Sequence, residues 1–150
     1  IGGLIATDPT VKYLSGKVTI YKTSPEMSRK AMVYYLDMSF GDREGLITSK
    51  NPETCTPEQA AFFKEMFTGA DYKENYAILN NYVKSLGDTI PPFIHLYIGL
   101  SPTMKTFGTT FDPDFGDCYD TAMMITAADI YPDKSKRYME SYEKCKERKR

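Results

Sequence analysis

The clearest hydrophobic periodicity lies between residues 56 and 86. Ala60, Phe63 and Phe67 recur at three- and four-residue steps with Met66 beside them, which sets one apolar stripe along a helix over residues 56–67. Thr56 offers an N-cap hydroxyl, Pro57 stands where no amide donor is needed, and Gln59 completes a capping box. Tyr72, Tyr76, Leu79, Val83 and Leu86 repeat the pattern over residues 71–86, with Gly69 and Gly87 as left-handed stops. So short a join predicts an antiparallel helical hairpin.

Upstream, Ser24-Pro25-Glu26 gives the same start signal, and Met27, Ala31, Tyr34, Tyr35 and Met38 follow at helical spacing until Gly41. Before it, Asp8-Pro9 reads as the opening of a short helix through Leu14, ended by Gly16, and residues 18–21 alternate in a way that suits a short strand. Residues 41–55 read as a loop with Leu46 and Ile47 as its apolar anchor. Residues 93–100 are apolar on every side, so periodicity does not separate helix from strand, and the Pro91-Pro92 start favours a short helix. Residues 105–111 read as irregular and 112–116 as a turn. A helix is predicted over 117–131, capped by Asp117, and a last one after Asp133 with Tyr138, Tyr142 and Cys145 on its inner face. The resulting fold class is mainly α: one domain over residues 1–150 with about five to seven short helices, irregular connections and room for a minor strand near residues 17–22. The alternative is α+β.

Composition narrows the partners. The chain has 150 residues, 41% hydrophobic and 26% charged, with a net charge of −1. No global field favours nucleic acid, and a basic run over 144–150 reads as a solvated helix end. No apolar stretch approaches the ~20 residues that span a bilayer. A start at Ile1 without Met suggests a mature chain after removal of a leader, or a trimmed fragment. Of the three cysteines, Cys118 and Cys145 fall near ends of consecutive helices that antiparallel packing would bring together, which makes them the preferred disulfide. Cys55 is then left free or available for dimerisation. The competing reading is three reduced thiols.

Candidate chemistry is sparse. His95, the only histidine, has Phe93, Ile94, Leu96, Tyr97 and Ile98 around it in sequence, and no recognisable nucleophile motif. The acidic group Asp112, Asp114, Asp117 and Asp120 fails the calcium-loop pattern, since Gly116, Asp117 and Met123 occupy positions that need a ligand, glycine and glutamate. Residues 56–67 are locally similar to the entering helix of calmodulin-like proteins, yet Lys73 and Tyr82 stand where the following loop would need ligands. No zinc spacing exists, and neither metal nor cofactor is expected. The richest signal is 8 Met, 12 Tyr and 8 Phe without Trp, side chains suited to an adaptable pocket or interface.

These features point to a non-catalytic secreted or lumenal binding protein, not an enzyme, that holds an apolar small molecule or a protein partner. The alternative is a structural subunit of a larger assembly. The expected ligand cavity lies where the hairpin meets residues 93–100, lined by Tyr34, Met38, Met66, Tyr76, Leu79, Val83, His95 and Tyr97.

Overall fold

The computed structural model describes Asp8 and residues 10–147. Of the proposed opening helix from Asp8 through Leu14 only Pro9 lies outside that range, and the rest is not helical, since Tyr13 and Leu14 already belong to a strand; the last three residues of the basic run also lie outside it. Among the described residues the order is β1 (Tyr13–Ile20), α1 (Glu26–Phe40), α2 (Pro57–Met66), α3 (Tyr72–Ser85), α4 (Pro92–Ile98), β2 (Lys105–Asp112), β3 (Cys118–Thr126) and α5 (Pro132–Glu147). The three strands form an antiparallel sheet in the order β1-β3-β2. The class is therefore α+β, and the mainly α expectation is corrected.

Two strands account for the difference. Residues 117–131 are not a helix: β3 pairs with β1 through Val18↔Thr121 and Gly16↔Met123, and with β2 through Thr109↔Thr121. Thr121, Met123 and Ile125 point to the core, while Ala122 and Met124 are half-buried on the opposite face. Apolar groups on both faces blur the alternation of two, and Cys118, Ala122 and Ile125 fall by chance at helical steps. In β2, Thr106, Thr109 and Thr110 suit a strand, but a bulge between Thr106 and Thr109 around Gly108 interrupts the pattern. The turn between these strands forms as expected. Asp112 accepts from the amides of Asp114 and Phe115 at 3.1 Å each, and Gly116 and Asp117 both take left-handed backbone (φ 76° and 53°). Asp117 thus ends a turn instead of capping a helix.

Helix α1 is the centre of the molecule. Ala31, Met32, Val33, Tyr35, Leu36 and Phe40 are all buried, so the helix is covered on more than one side. One side meets the inner sheet face, where Thr106 Oγ1 donates to the Leu36 carbonyl at 3.2 Å. The other meets α2 and α3: Tyr34 stacks on Phe67 (5.9 Å, 5°), and the Tyr35 hydroxyl donates to the Tyr72 carbonyl at 2.8 Å. The hairpin helices therefore both pack on α1, and meet each other through Phe62 and Phe63 against Tyr82. The capping box of α2 is present in both directions, with Gln59 N to Thr56 Oγ1 at 3.2 Å and Thr56 N to Gln59 Oε1 at 3.0 Å. Gly69 is not a left-handed stop. The Asn75 side chain brackets its amide and carbonyl, and an added Cβ would sit 2.7 Å from Glu74.

The segment before α2 covers the free edge of β2. Asp42 N donates to Thr106 O and Glu53 N to Thr109 O, both at 2.8 Å, and Asn51 O accepts from Phe111 N at 3.1 Å. That cover removes an exposed row of strand donors and acceptors. Residues 93–100 form α4 and a following turn, with Ile94, Ile98 and Leu100 buried but Phe93 and Leu96 exposed, so the segment is not enclosed on every side.

Phe63 is fully buried. Truncation to Ala should cost ~3–5 kcal/mol in urea denaturation, and a cost near zero would refute the packing of α2 on α1. At Gly16, an added Cβ would lie 2.1 Å from the Tyr97 hydroxyl. Gly16→Ala should therefore destabilise by ~1–3 kcal/mol, with partial recovery when Tyr97→Phe is combined with it. Equal losses in the single and double variants would show that this contact is not the cause.

Candidate functional site

Strand β1 carries Val18 and Ile20 into the core, so the alternation turns Lys17 and Thr19 to the opposite face. Where β1 ends, these two residues and Tyr21 meet Asp88 and Thr89 from the α3–α4 connection and Phe93 of α4 around a cleft of about 540 Å³. Thr23 and Ser24, at the approach to α1, add two hydroxyls. Tyr21 and Phe93 form exposed aromatic rims.

The polar groups of this cleft are fixed from below. Asp120 on β3 accepts from Lys17 Nζ and from Thr19 Oγ1, each at 2.5 Å. The Lys17 ammonium also lies 4.4 Å from the centre of the Phe115 ring. Its hydrogen bond to Asp120 holds it above the usual lysine value, so it is charged at neutral pH. The fully buried Ser28 of α1 donates to Asp88 Oδ2 at 2.6 Å and fixes that carboxylate, while among the described residues no side chain bonds its second oxygen. A cation and a carboxylate from different elements thus face one cleft, together with hydroxyl groups. Such a set suits a small zwitterion.

Two other hollows differ in chemistry. A cleft of about 360 Å³ among α3, α4 and the start of α5 is lined by Tyr72, Tyr76, His95, Ile98 and Tyr131, with Lys73 and Lys134 at its edge and no carboxylate among the described lining residues. His95 lies 5.4 Å from the Tyr76 ring, and the Tyr72 and Tyr131 hydroxyls are 3.4 Å apart. The third hollow, about 370 Å³, lies between α1, residues 52–55 and the sheet. At its end Glu53 Oε1 receives Arg29 Nε at 3.1 Å and Lys30 Nζ at 2.9 Å, and the Arg29 guanidinium covers the Tyr119 ring at 4.1 Å.

The residues expected to form one cavity are distributed. Tyr76 and His95 meet in the helical cleft. Tyr34 lines the hollow beside α1. Leu79 and Val83 are fully buried in the core, Met66 is half-buried, Met38 reaches the surface, and Tyr97 lies over Gly16. The sequence singles out neither Lys17 nor Asp88, and Asp120 enters only within the acidic group that fails the calcium-loop pattern. Lys17 and Asp120 are 103 positions apart, and only the β1–β3 register joins them. The alternation over residues 17–20 carries the one local signal, since it exposes Lys17.

The expected disulfide is also corrected. Cys55, Cys118 and Cys145 are all free. Cys118 is buried in β3 and Cys145 exposed on α5, because the segment assigned to a helix is a strand that points elsewhere. Cys55 is half-buried with its thiol on the Lys30 carbonyl at 3.7 Å. Burial pushes the Cys55 and Cys118 thiols up, so both are protonated at neutral pH. Among the described residues no helix is long and apolar enough to cross a membrane.

Two curated proteins are similar to this chain. The glycine N(alpha)-acyltransferase of Phocaeicola vulgatus is 38% identical over 144 residues, which is 96% of this chain and 44% of that protein. The glycine N(alpha)-acyltransferase of Bacteroides thetaiotaomicron is 37% identical over 145 residues, 95% of this chain and 42% of that protein. The chain spans less than half the length of the curated relatives it matches. No protein-family profile and no solved structure matches it. Both relatives are enzymes by name, which overturns the expectation of a non-catalytic binding protein, its alternative of a structural subunit, and the statement that the chain is not an enzyme.

Several tyrosines titrate late. Burial raises Tyr35, Tyr76 and Tyr82, and the bond to Tyr131, aided by burial, pushes Tyr72 up to about 12. The folded state thus keeps these protons longer than the unfolded chain. Their contribution is fully present below ~10, the unfolded value for tyrosine, and is lost as pH rises through about 12. The urea midpoint should fall over that interval, in step with tyrosinate absorbance. Full ionisation of these tyrosines at an unchanged midpoint would contradict this assignment.

Proposed function

We propose that this chain is part of an enzyme that transfers an acyl group to the amine of glycine, and that the cleft at the end of β1 receives the amino acid. The observation that carries the reading is the similarity to two glycine N(alpha)-acyltransferases across almost the whole chain. The cleft supports it by offering both signs of charge. Lys17, kept charged by Asp120, binds the glycine carboxylate, and the free oxygen of Asp88 binds the ammonium. Glycine has no side chain, so recognition must come from these two charged ends.

The reaction follows from the chemistry of an amine and an acyl thioester. The glycine ammonium first loses one proton to a base or to solvent. Its nitrogen lone pair then attacks the acyl carbon, the new C–N bond forms and the C–S bond breaks. The departing thiolate takes up a proton, and the nitrogen releases its second proton to leave the amide. Lys17 and Asp88 hold the acceptor in one orientation during attack, which lowers the entropic part of the barrier.

A chimera tests this. The matching part of the Bacteroides thetaiotaomicron relative is replaced by this chain, and N-acylglycine formation from acyl-coenzyme A thioesters is measured. Lys17→Met and Asp88→Asn should each raise KM for glycine at least ~10-fold, the scale of one lost charged hydrogen bond, with little change in KM for the thioester. An active chimera whose glycine KM is unmoved by both variants would sink the assignment of the cleft.

A further inference from the structure

The cleft at the end of β1 holds more recognition groups than glycine can use. With its ammonium on Asp88 and its carboxylate on Lys17, glycine has only a methylene left. Yet Thr23, Ser24 and Thr89 bring further hydroxyls to the same cleft, and none of these bonds another described residue. The hydroxyl of Thr19 differs, since Asp120 already takes it. Pro91 and Pro92 form part of the wall, and the exposed rings of Tyr21 and Phe93 stand at the rim. At about 540 Å³ the cleft falls within the ~300–1,000 Å³ range of sites that enclose ligands much larger than one small amino acid.

The cleft also crosses a strand edge. β1 stands at one end of the sheet order. Among the described residues only β3 pairs with the backbone of residues 13–20, whereas residues 42–53 cover the free edge of β2. Lys17 and Thr19 reach the cleft from the outer face of the sheet. The opposite wall comes from the inner side, where Tyr97 of α4 stands over Gly16 and Phe93 lies in the first turn of the same helix. A cleft bordered from both faces passes over the edge between them. The outward donors and acceptors of such an edge are a template for an extended peptide. A free amino acid has no peptide group to pair with them.

We propose that this cleft takes the N-terminal glycine of a short peptide laid as an extended strand along the outer edge of β1, so that glycyl peptides are acyl acceptors alongside free glycine. The proposal rests on the acyltransferase reading and widens its acceptor class. Asp88 binds the terminal ammonium, and Lys17 donates to the first peptide carbonyl where it would otherwise meet the glycine carboxylate. The hydroxyls of Thr23, Ser24 and Thr89 serve the amides beyond it. A larger free amino acid would fill the same space, but it places a branch beside the reacting nitrogen. A glycyl peptide keeps that carbon unbranched, so the chemistry is the same. The terminal ammonium loses one proton, its nitrogen attacks the acyl carbon, the C–N bond forms and the C–S bond breaks. The thiolate takes up a proton and the nitrogen releases its second one.

The test uses glycyl-alanyl-alanine. Titration calorimetry on the chain itself should show it binding at least ~10-fold more tightly than free glycine. Acetylation of its amine should abolish binding. N-methylation of the two alanines in turn should weaken binding at least ~10-fold at one of them, because alternate amides of an extended chain face the neighbouring strand. A peptide that binds no better than glycine, or that tolerates acetylation or both N-methylations, would overturn the proposal. In the chimera the peptide should be acylated at its terminal amine, as read by tandem mass spectrometry. Thr89→Val should lower the ratio of kcat/KM for the peptide to that for glycine at least ~3-fold, the scale of one neutral hydrogen bond. An unchanged ratio in Thr23→Val, Ser24→Ala and Thr89→Val alike would also overturn it. If the chimera acylates glycine but not the peptide, the peptide site fails and the acyltransferase reading stands. If it acylates neither while the peptide binds the chain with the stated dependences, the acyltransferase reading fails and the peptide site stands. The calorimetry needs no variant, so a misfolded Thr89→Val still leaves the proposal open to refutation.

Discussion

Helix α1 must be covered on two sides, and the rest of the molecule is arranged to do this. Met32 and Tyr35 are fully buried, and Leu36 nearly so, which no single neighbour could achieve for a helix of 15 residues. The inner sheet face closes one side and the rings of α2 and α3 close the other. The first turns of α1 also carry Arg29 and Lys30 inward, each only 11% exposed. Two cations at that depth are costly unless paired. Glu53 is their common partner, and Thr54 accepts a further bond from Lys30. That pairing draws residues 52–55 against α1 and the sheet.

From this one constraint two hollows follow. Ser28 on α1 fixes Asp88 at the β1 cleft. Five residues further along, Val33 and then Leu36 line the hollow beside residues 52–55. The covered β2 edge shapes that hollow, because the segment that satisfies the strand's donors and acceptors also borders it. On the far side of the sheet from α1, β1 presents Lys17 and Thr19 to Asp120.

Local signals in the chain determined its helices. The capping box at Thr56 and Gln59, the Asp112 turn and the left-handed Gly87 each depend on residues within a few positions, and each forms as the sequence implies. The core face of the hairpin was legible for the same reason, since Phe63, Leu79 and Val83 repeat at helical steps and are fully buried. What only the tertiary structure decided depends on partners far away in sequence. Strand β3 contains Ala and Met, good helix formers, and becomes a strand because β1 and β2 supply its hydrogen bonds on both sides. Gly69 looked like a stop and instead admits the Asn75 side chain. Lys17 and Asp120, and Ser28 and Asp88, meet only once strand register and helix packing are fixed, so no spacing in the chain announces the cleft they build. Periodicity reports which side of an element is buried, but not which elements face one another, and the chemistry of this protein lies in that second relation.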